Sequence, residues 1–167
     1  QLHLIHKLSG FLTESWSKPN TLFVLKGYAG TGKTTIVSAL TNILPHLSRR
    51  SVLLAPTGRA AKVLAGYARK PANTIHRKIF FARTTKEGTI ALKLQQNLHK
   101  NTLFVVDEAS MIQNSSLRDL NLFTGRNILD DLFSYVYSGE NNKLLFIGDS
   151  AQLPPVGLDY SPALDID

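Results

Sequence analysis

Cysteine is absent from this 167-residue sequence, and no apolar run in it is long. Without cysteine the chain has neither disulfide bonds nor thiolate metal sites, and its composition leaves the redox compartment undetermined. The longest apolar runs are of strand length, far below the ~18 residues that a membrane helix needs. His3, His6 and Lys7 interrupt the first apolar stretch, so the amino terminus is unlike a signal peptide. We expect a cytoplasmic protein without membrane association.

The bulk composition is that of one basic domain. A chain of 167 residues with 43% hydrophobic content can bury one core of usual size, so we expect a single domain over residues 1–167. The net charge of +7 and the isoelectric point near 9.8 favour a polyanionic partner. Many basic domains never contact nucleic acid, so charge alone leaves the partner open.

The segment from Gly27 to Thr34 reads G-Y-A-G-T-G-K-T and fills every fixed position of a phosphate-binding loop. A run of buried-strand type, Thr21 to Leu25, precedes it. Apolar residues at helical spacing follow from Lys33 until Pro45. Strand, glycine loop and helix is the order that the motif requires, whereas a chance glycine-rich turn before a helix is the alternative.

The residue types of this loop suit a nucleotide. Gly27, Gly30 and Gly32 allow the backbone N–H groups to turn toward phosphate oxygens at the positive end of a helix. Lys33 is placed to reach the β- and γ-phosphates, and the Thr34 hydroxyl to bind Mg²⁺.

A second strand-like run, Thr102 to Val106, delivers Asp107 and Glu108 at its carboxyl end, where ligands bind in open α/β sheets. We expect Asp107 to hold Mg²⁺ through water and Glu108 to act as general base on the attacking water. A solvated turn after a strand is the alternative. A kinase would need no water-activating glutamate, so the pair favours hydrolysis, and the chain has no N-K-x-D sequence for reading guanine.

A third strand-like run, Lys143 to Ile147, leads into a turn with Asp149 and Gln152, followed by two prolines. The Gln152 amide can act as a sensor of the γ-phosphate whose movement is passed outward. This arrangement favours a motor over a simple phosphatase.

Taken together, these segments resemble the RecD-like and Dda-like branch of superfamily 1B DNA helicases. They are similar in order and residue content to that family's motifs I, Ia, Ib, II and III. In this chain the motifs read G-Y-A-G-T-G-K-T-T from Gly27, A-P-T-G-R-A-A from Ala55, T-I-H-R from Thr74, V-D-E-A-S-M-I from Val106 and G-D-S-A-Q-L-P-P-V-G from Gly148. The chain departs from the family at Ser150, where proline is usual, which puts only the rigidity of that turn in doubt.

The resemblance implies ATP and Mg²⁺ as cofactors and single-stranded DNA as partner. It implies a catalytic group of Lys33, Glu108 and Gln152. The implied nucleotide site comprises Gln1, Gly27, Gly30, Thr31, Gly32, Lys33, Thr34 and Thr35, with Thr34 and Asp107 on the metal. The implied DNA contacts are Pro56, Thr57, Gly58, Arg59, Thr74, His76 and Arg77. For His76 and Arg77 the alternative is an ordinary surface loop.

Two segments stand apart from the core pattern. Apolar residues alternate between Lys78 and Asn97 around the turn-like Lys86-Glu87-Gly88, which predicts an inserted hairpin within residues 78–100. In the resembled family a hairpin at this place acts as a pin that splits the duplex, whereas an edge ribbon of no special role is the alternative. Residues 113–126, rich in Ser, Asn and Gly, predict a surface loop.

Two helices are also predicted outside the motifs. One lies before the first strand on Leu2, Ile5, Leu8 and Leu12, and one covers Ile128 to Tyr137 and ends at Ser138 and Gly139. We interpret the apolar stripes of both helices as core.

The sequence therefore predicts a P-loop NTPase with a RecA-like three-layer α/β sandwich, a mainly parallel sheet and a small inserted β-hairpin. Nothing after Gly157 corresponds to motifs IV to VI, and the sequence begins with Gln1, so we expect the first motor domain of a longer parent that supplies the second RecA-like domain. The resemblance implies movement from 5′ to 3′. A nucleotide-dependent DNA clamp or scaffold that does not unwind is the alternative function.

Overall fold

The computed structural model describes residues 2–84, 88, 90–112, 127–149 and 161–164. Five helices and seven strands follow one another in these residues, and two short 3₁₀ turns cover Leu44–Leu47 and Ala109–Met111. In chain order they are α1 (Leu2–Thr13), β1 (Thr21–Lys26), α2 (Lys33–Ile43), β2 (Arg50–Ala55), α3 (Gly58–Ala68), β3 (Ala72–Thr74), α4 (Ile75–Ile79), β4 (Phe80–Thr84), β5 (Ile90–Leu94), β6 (Thr102–Val106), α5 (Ile128–Tyr137) and β7 (Lys143–Gly148).

The main sheet of the described residues has five strands in the order β1-β7-β6-β2-β3, and every pairing in it is parallel. Strands β4 and β5 form a separate antiparallel pair in which Thr84 lies opposite Ile90. The predicted parallel sheet and the predicted hairpin are both confirmed. Since the five strands run in the same direction, their carboxyl ends lie along one edge of the sheet.

Helices cover both faces of this sheet. On β6, Leu103 and Val105 pack with the core residues of α1, α2 and α3, whereas Phe104 and Val106 pack with those of α4 and α5. Strands β6 and β7 are buried along their whole length, which explains their continuous apolar sequences. The three-layer α/β sandwich expected from the sequence is therefore confirmed.

The long apolar runs gave the element boundaries accurately, and β6 covers the predicted residues. The interpretation of the first helix was wrong in part, because Leu2 and Ile5 are 85% and 60% exposed. The side of α1 that packs on the sheet carries buried Leu8 and Phe11, together with the partly buried Leu4 and Leu12. Ile79, which was assigned to the hairpin alternation, ends α4 and is buried.

The amino-terminal helix is fastened to the sheet by a buried lysine. Lys143, the first residue of β7, is fully buried and donates from Nζ to the carbonyl oxygens of Phe11 and Glu14, at 2.5 and 3.1 Å. Its ammonium also lies 4.8 Å from the Phe11 ring centroid and 5.0 Å from that of Trp16. Carbonyl groups at a helix end lack partners within the helix, so this lysine caps the carboxyl end of α1.

We predict that Lys143→Met lowers the free energy of unfolding by about 1–3 kcal/mol, because buried carbonyl groups at the end of α1 lose their donor. Urea unfolding measures the change, and hydrogen exchange should show faster exchange in α1 than in β6. Lys18→Met, which removes an exposed lysine paired with Glu14, is the matched control and should change stability little. Equal stability of Lys143→Met and the unmodified chain would contradict the capping role.

Candidate nucleotide and nucleic-acid sites

The phosphate loop joins β1 to α2 and is held in a compact shape. Its first residue continues the sheet, because the Gly27 N–H donates to the Gly148 carbonyl at 3.1 Å. The Thr31 hydroxyl closes the loop by donating to the Tyr28 carbonyl at 2.7 Å. A Cβ atom on Gly27 would lie 2.8 Å from the Thr31 Oγ1, so the closed loop requires glycine there.

Gly30 and Gly32 have φ values of 77° and 89°, which residues with a side chain rarely adopt. Successive N–H groups in such a turn point inward, and the free N–H groups of the first turn of α2 follow directly. The loop is therefore shaped to receive an anion, as the motif predicts.

Lys33, the first residue of α2, folds back over the loop. Its ammonium donates to the carbonyl oxygens of Gly27 and Tyr28, at 2.5 and 2.8 Å, and lies 3.7 Å from Asp149 Oδ2. Asp149 follows β7 and is 8% exposed. Thr34 and Thr35 are exposed in the same helical turn. The end of β7 thus contributes a carboxylate to the phosphate loop.

Asp107 lies directly after β6 and continues the hydrogen bonding of that strand with β2. Its N–H donates to the Leu54 carbonyl at 3.0 Å, and its Oδ2 accepts a hydrogen bond from the Tyr67 hydroxyl of α3. Burial raises the pKa of Tyr67 well above its usual range, with further contributions from this bond and from the charges of Asp107 and Glu108. The phenol therefore remains protonated and acts as a donor.

Glu108 has a left-handed backbone with φ of 54°, which is uncommon for a residue with a side chain. Its carbonyl accepts from the Met111 N–H at 2.9 Å, so the turn that follows holds this conformation. Strained backbone of this kind concentrates at functional sites, where the surrounding structure maintains it.

The donor set fits a magnesium ion. The Thr34 hydroxyl and the Asp107 carboxylate supply hard oxygen ligands of the kind that Mg²⁺ prefers. Among the described residues there is no group of three or more histidine, cysteine, aspartate or glutamate side chains that could hold a metal alone. A cation here would therefore take its remaining ligands from nucleotide phosphates and water, which is usual for Mg²⁺.

Two residues at this site were not among the predicted site residues. Tyr67 contacts Asp107 from a helix 40 residues earlier, and no sequence pattern marks it. Asp149 was noted only as part of its turn, although a carboxylate after a buried strand is the same signal that identified Asp107. The predicted residues Gln1 and Gln152 lie outside the described residues, as does residue 150.

The predicted DNA residues lie at the carboxyl ends of β2 and β3, on the side of the sheet away from β1. Thr57 caps α3 by accepting from the Ala60 N–H, and Thr74 caps α4 by accepting from the Arg77 N–H, each at 3.2 Å. Ala55 and Thr74 are register partners, so the two caps are neighbours. The remaining predicted members on these turns are Pro56, which is half-buried, and Gly58, Arg59 and Arg77, which are exposed.

His76 is a half-buried ring beside Phe80, with the ring centroids 6.0 Å apart and tilted by 44°. Burial lowers the pKa of His76, so the imidazole is neutral near pH 7. A contact with DNA would therefore involve stacking or a neutral hydrogen bond.

The hairpin of β4 and β5 has apolar residues both against the core and exposed to solvent. Phe80 and Leu94 anchor its base against the core on the α5 side, whereas Phe81 and Ile90 are 44% and 54% exposed. Residues 85–87 and 89, in its predicted turn, lie outside the described residues. Its role as a pin stays a prediction. The predicted surface loop of residues 113–126 also lies outside them.

Comparison with known proteins places these features in a family. A model of the AAA domain family matches residues 15–158, a span that includes all five motifs. An ATP-dependent RecD2 DNA helicase of Deinococcus radiodurans is 32% identical over 135 residues, covering 81% of this chain and 16% of the relative. An uncharacterized protein of Acanthamoeba polyphaga mimivirus is 30% identical over 91% of this chain and 32% of its own length.

Among solved structures, a Bacteroides Pif1 crystallised with ADP-AlF4 superposes with a TM-score of 0.56 at 23% identity. The match covers 93% of this chain and 33% of that one, and it shows a shared fold. The chain thus spans a third or less of the length of each of these three proteins. In the part of the chain that the structure describes, no helix is both long and apolar enough to span a bilayer.

We predict opposite effects for one substitution at two glycines. Gly32→Ala should destabilise the chain by about 1–2 kcal/mol, because alanine resists a left-handed backbone. Gly66→Ala, in the last turn of α3 with open space around the new Cβ, should stabilise it by about 0.5–1 kcal/mol. Urea midpoints of the two variants and the parent measure both effects. Equal urea midpoints for Gly32→Ala and Gly66→Ala would disprove the conformational requirement at Gly32.

Proposed function

The chain belongs to the AAA domain family, as a motor domain of the RecD/Pif1-like group of superfamily 1 helicases, and on this basis we propose that it is the ATP-binding motor of a DNA helicase. In this proposal ATP hydrolysis drives movement from 5′ to 3′ along single-stranded DNA. The second RecA-like domain of the full-length protein completes the site.

The observation that carries the proposal is the meeting of three strand ends. Strands β1, β7 and β6 are adjacent and parallel, and they deliver Lys33, Asp149 and Asp107 to one edge of the sheet. The loop carrying Lys33 is shaped for phosphate, and the acidic residues supply the charge that a divalent cation needs. A nucleotide site of the hydrolase type accounts for all three groups together.

Each group has a defined task in the proposed hydrolysis. Lys33 and the loop N–H groups hold the β- and γ-phosphates and offset their charge. Thr34 and Asp107 would hold the Mg²⁺, which would supply positive charge to offset that of the phosphate oxygens. Glu108 accepts a proton from the attacking water, and Gln152 senses the γ-phosphate.

The neighbouring helix caps provide the proposed DNA track. Thr57 and Thr74 stand at the starts of α3 and α4, and exposed Arg59 and Arg77 lie beside them. Phosphate oxygens can bind hydroxyl and N–H groups at helix starts, with arginine adding attraction. In this proposal His76 stacks with a base. This track and the nucleotide site share the same edge of the sheet, so one domain can contact both ligands.

We predict that Glu108→Gln keeps nucleotide affinity but slows ATP hydrolysis by roughly 10²–10⁴, because the amide cannot accept the proton. Lys33→Ala should instead lose nucleotide binding while the fold is kept, since the Lys33 ammonium contacts the loop and not the core. Binding of a fluorescent ATP analogue and steady-state hydrolysis by the full-length protein, with and without single-stranded DNA, separate the two effects.

Glu140→Gln is the control for the glutamate substitution, because Glu140 pairs with Lys100 on the surface, where the bond is 2.5 Å. It should leave both measurements unchanged. Retained hydrolysis in Glu108→Gln would remove Glu108 from the catalytic role. Hydrolysis that DNA does not stimulate would favour a nucleotide-dependent clamp or scaffold over a helicase.

We predict that single-stranded DNA binds weakly and with steep salt dependence, because phosphate contacts supply most of the affinity. Thr57→Ala and His76→Ala should each weaken binding further in fluorescence anisotropy titrations. Thr57→Ser keeps the hydroxyl and should bind as the parent does. Thr13→Ala, at the exposed end of α1, tests for general effects and should also leave binding unchanged. Affinity insensitive to salt, or unchanged in both alanine variants, would show that the track lies elsewhere.

A further inference from the structure

Tyr67 connects three elements around the candidate nucleotide site. It lies in the last turn of α3, and its hydroxyl donates to Asp107 Oδ2 at the end of β6. Its backbone carbonyl accepts a hydrogen bond from the Ser38 hydroxyl of α2, at 3.0 Å. One residue thus bonds both to the candidate metal-binding carboxylate and to the helix that follows the phosphate loop.

We propose that Tyr67 is a positioning residue that holds Asp107 and α2 in the arrangement that binds a divalent cation with nucleotide. The inference rests on the proposed function, because it deepens the role of the same site. Tyr67 would touch neither nucleotide nor cation and would act through Asp107.

The direction of the side chain makes this contact possible. Side chains of an α-helix point toward its amino-terminal end, so Tyr67 reaches back from the last turn of α3 toward the edge where β6 ends. The bond occupies one carboxylate oxygen of Asp107 and fixes the plane of the group. The other oxygen would then serve a divalent cation or its water. Outer partners of this kind fix the geometry of metal ligands and tune their affinity.

The second bond sets the spacing between the two candidate ligands. Ser38 follows Thr34 by four residues and so lies on the same side of α2, one turn later. The bond from Ser38 fixes the position of α2, and with it Thr34, relative to Tyr67. The bond from the phenol fixes the position of Asp107 relative to the same residue. A shift of α2 against α3 would change the distance between the hydroxyl and the carboxylate. The two bonds together oppose that shift.

Substitution of a tyrosine by phenylalanine removes only the hydroxyl, and the chain offers a matched control. The hydroxyl of Tyr137 is buried and has no hydrogen-bond partner among the described residues. Burial raises the pKa of Tyr137 as well, so it too is protonated. Tyr67→Phe and Tyr137→Phe therefore remove the same atom from two buried sites, of which only one contacts Asp107.

The test uses Mn²⁺ as a probe for Mg²⁺, titrated into the full-length protein with ADP and followed by electron paramagnetic resonance. Tyr67→Phe should weaken Mn²⁺ binding by roughly 10–100-fold, the range found when an outer partner of a metal ligand is lost. Affinity for ADP without divalent cation should not change, because Lys33 and the loop remain. Tyr137→Phe should bind Mn²⁺ and ADP as the parent does.

Ser38→Ala is the second variant, because it removes the other bond and keeps the tyrosine. It should weaken Mn²⁺ binding in the same direction, by roughly tenfold, the lower end of that range. If a folded Tyr67→Phe binds Mn²⁺ as the parent does, the inference is wrong. It is also wrong if ADP affinity without cation falls as much as Mn²⁺ affinity, since that marks a general structural role. A parent protein that binds neither ADP nor Mn²⁺ would instead overturn the proposed function itself.

Discussion

Burial of the central strands on both faces is the constraint on which the arrangement of this domain depends. Strands β6 and β7 have no exposed residue along their length, so polar groups can enter only where the strands end. The parallel direction brings those ends to one edge, where Asp107 and Asp149 leave the apolar layer beside the phosphate loop. The position of the site therefore follows from the hydrophobic sequence of the strands as much as from the polar residues themselves.

Features encoded within a few neighbouring residues could be predicted from the sequence. The strand Thr102–Val106, the helix Ile128–Tyr137 and the glycine loop are defined by local apolar runs, periodicity and turn residues. Contacts between segments that are distant in the sequence could not be predicted from it. Lys143 lies 132 residues from Phe11 in α1 and 129 residues from Glu14 just after it, and Tyr67 lies 40 residues from Asp107. The stripe of α1 misled for a related reason, because its apolar residues form two overlapping stripes, and only packing shows that Leu4 contacts the core while Leu2 and Ile5 are exposed.

Several of the nineteen lysine and arginine side chains are engaged within the protein. Lys143 is buried and donates hydrogen bonds to carbonyl groups at the end of a helix, and Lys70 donates to the Ser51 hydroxyl at 2.6 Å. Lys18 and Lys100 pair with glutamates on the surface. Attraction to a polyanion therefore depends on fewer cations than the composition suggests. Placement of Arg59 and Arg77 beside exposed helix starts is a more specific argument for nucleic acid than the charge of the whole chain.

The contacts of Lys33 have a consequence for any anion that the loop receives. Its ammonium satisfies two carbonyl oxygens of the loop that it is expected to leave when phosphate arrives. Under the proposed function, a nucleotide that draws the Lys33 ammonium to its phosphates must break these two hydrogen bonds. The free energy of breaking them lowers the apparent affinity for the nucleotide. The same bonds, with the one from the Thr31 hydroxyl to the Tyr28 carbonyl, hold the loop in a compact shape, which favours binding by reducing the backbone ordering that binding requires. Under the proposed function, Lys33 would thus occupy part of the phosphate position as well as bind the phosphate.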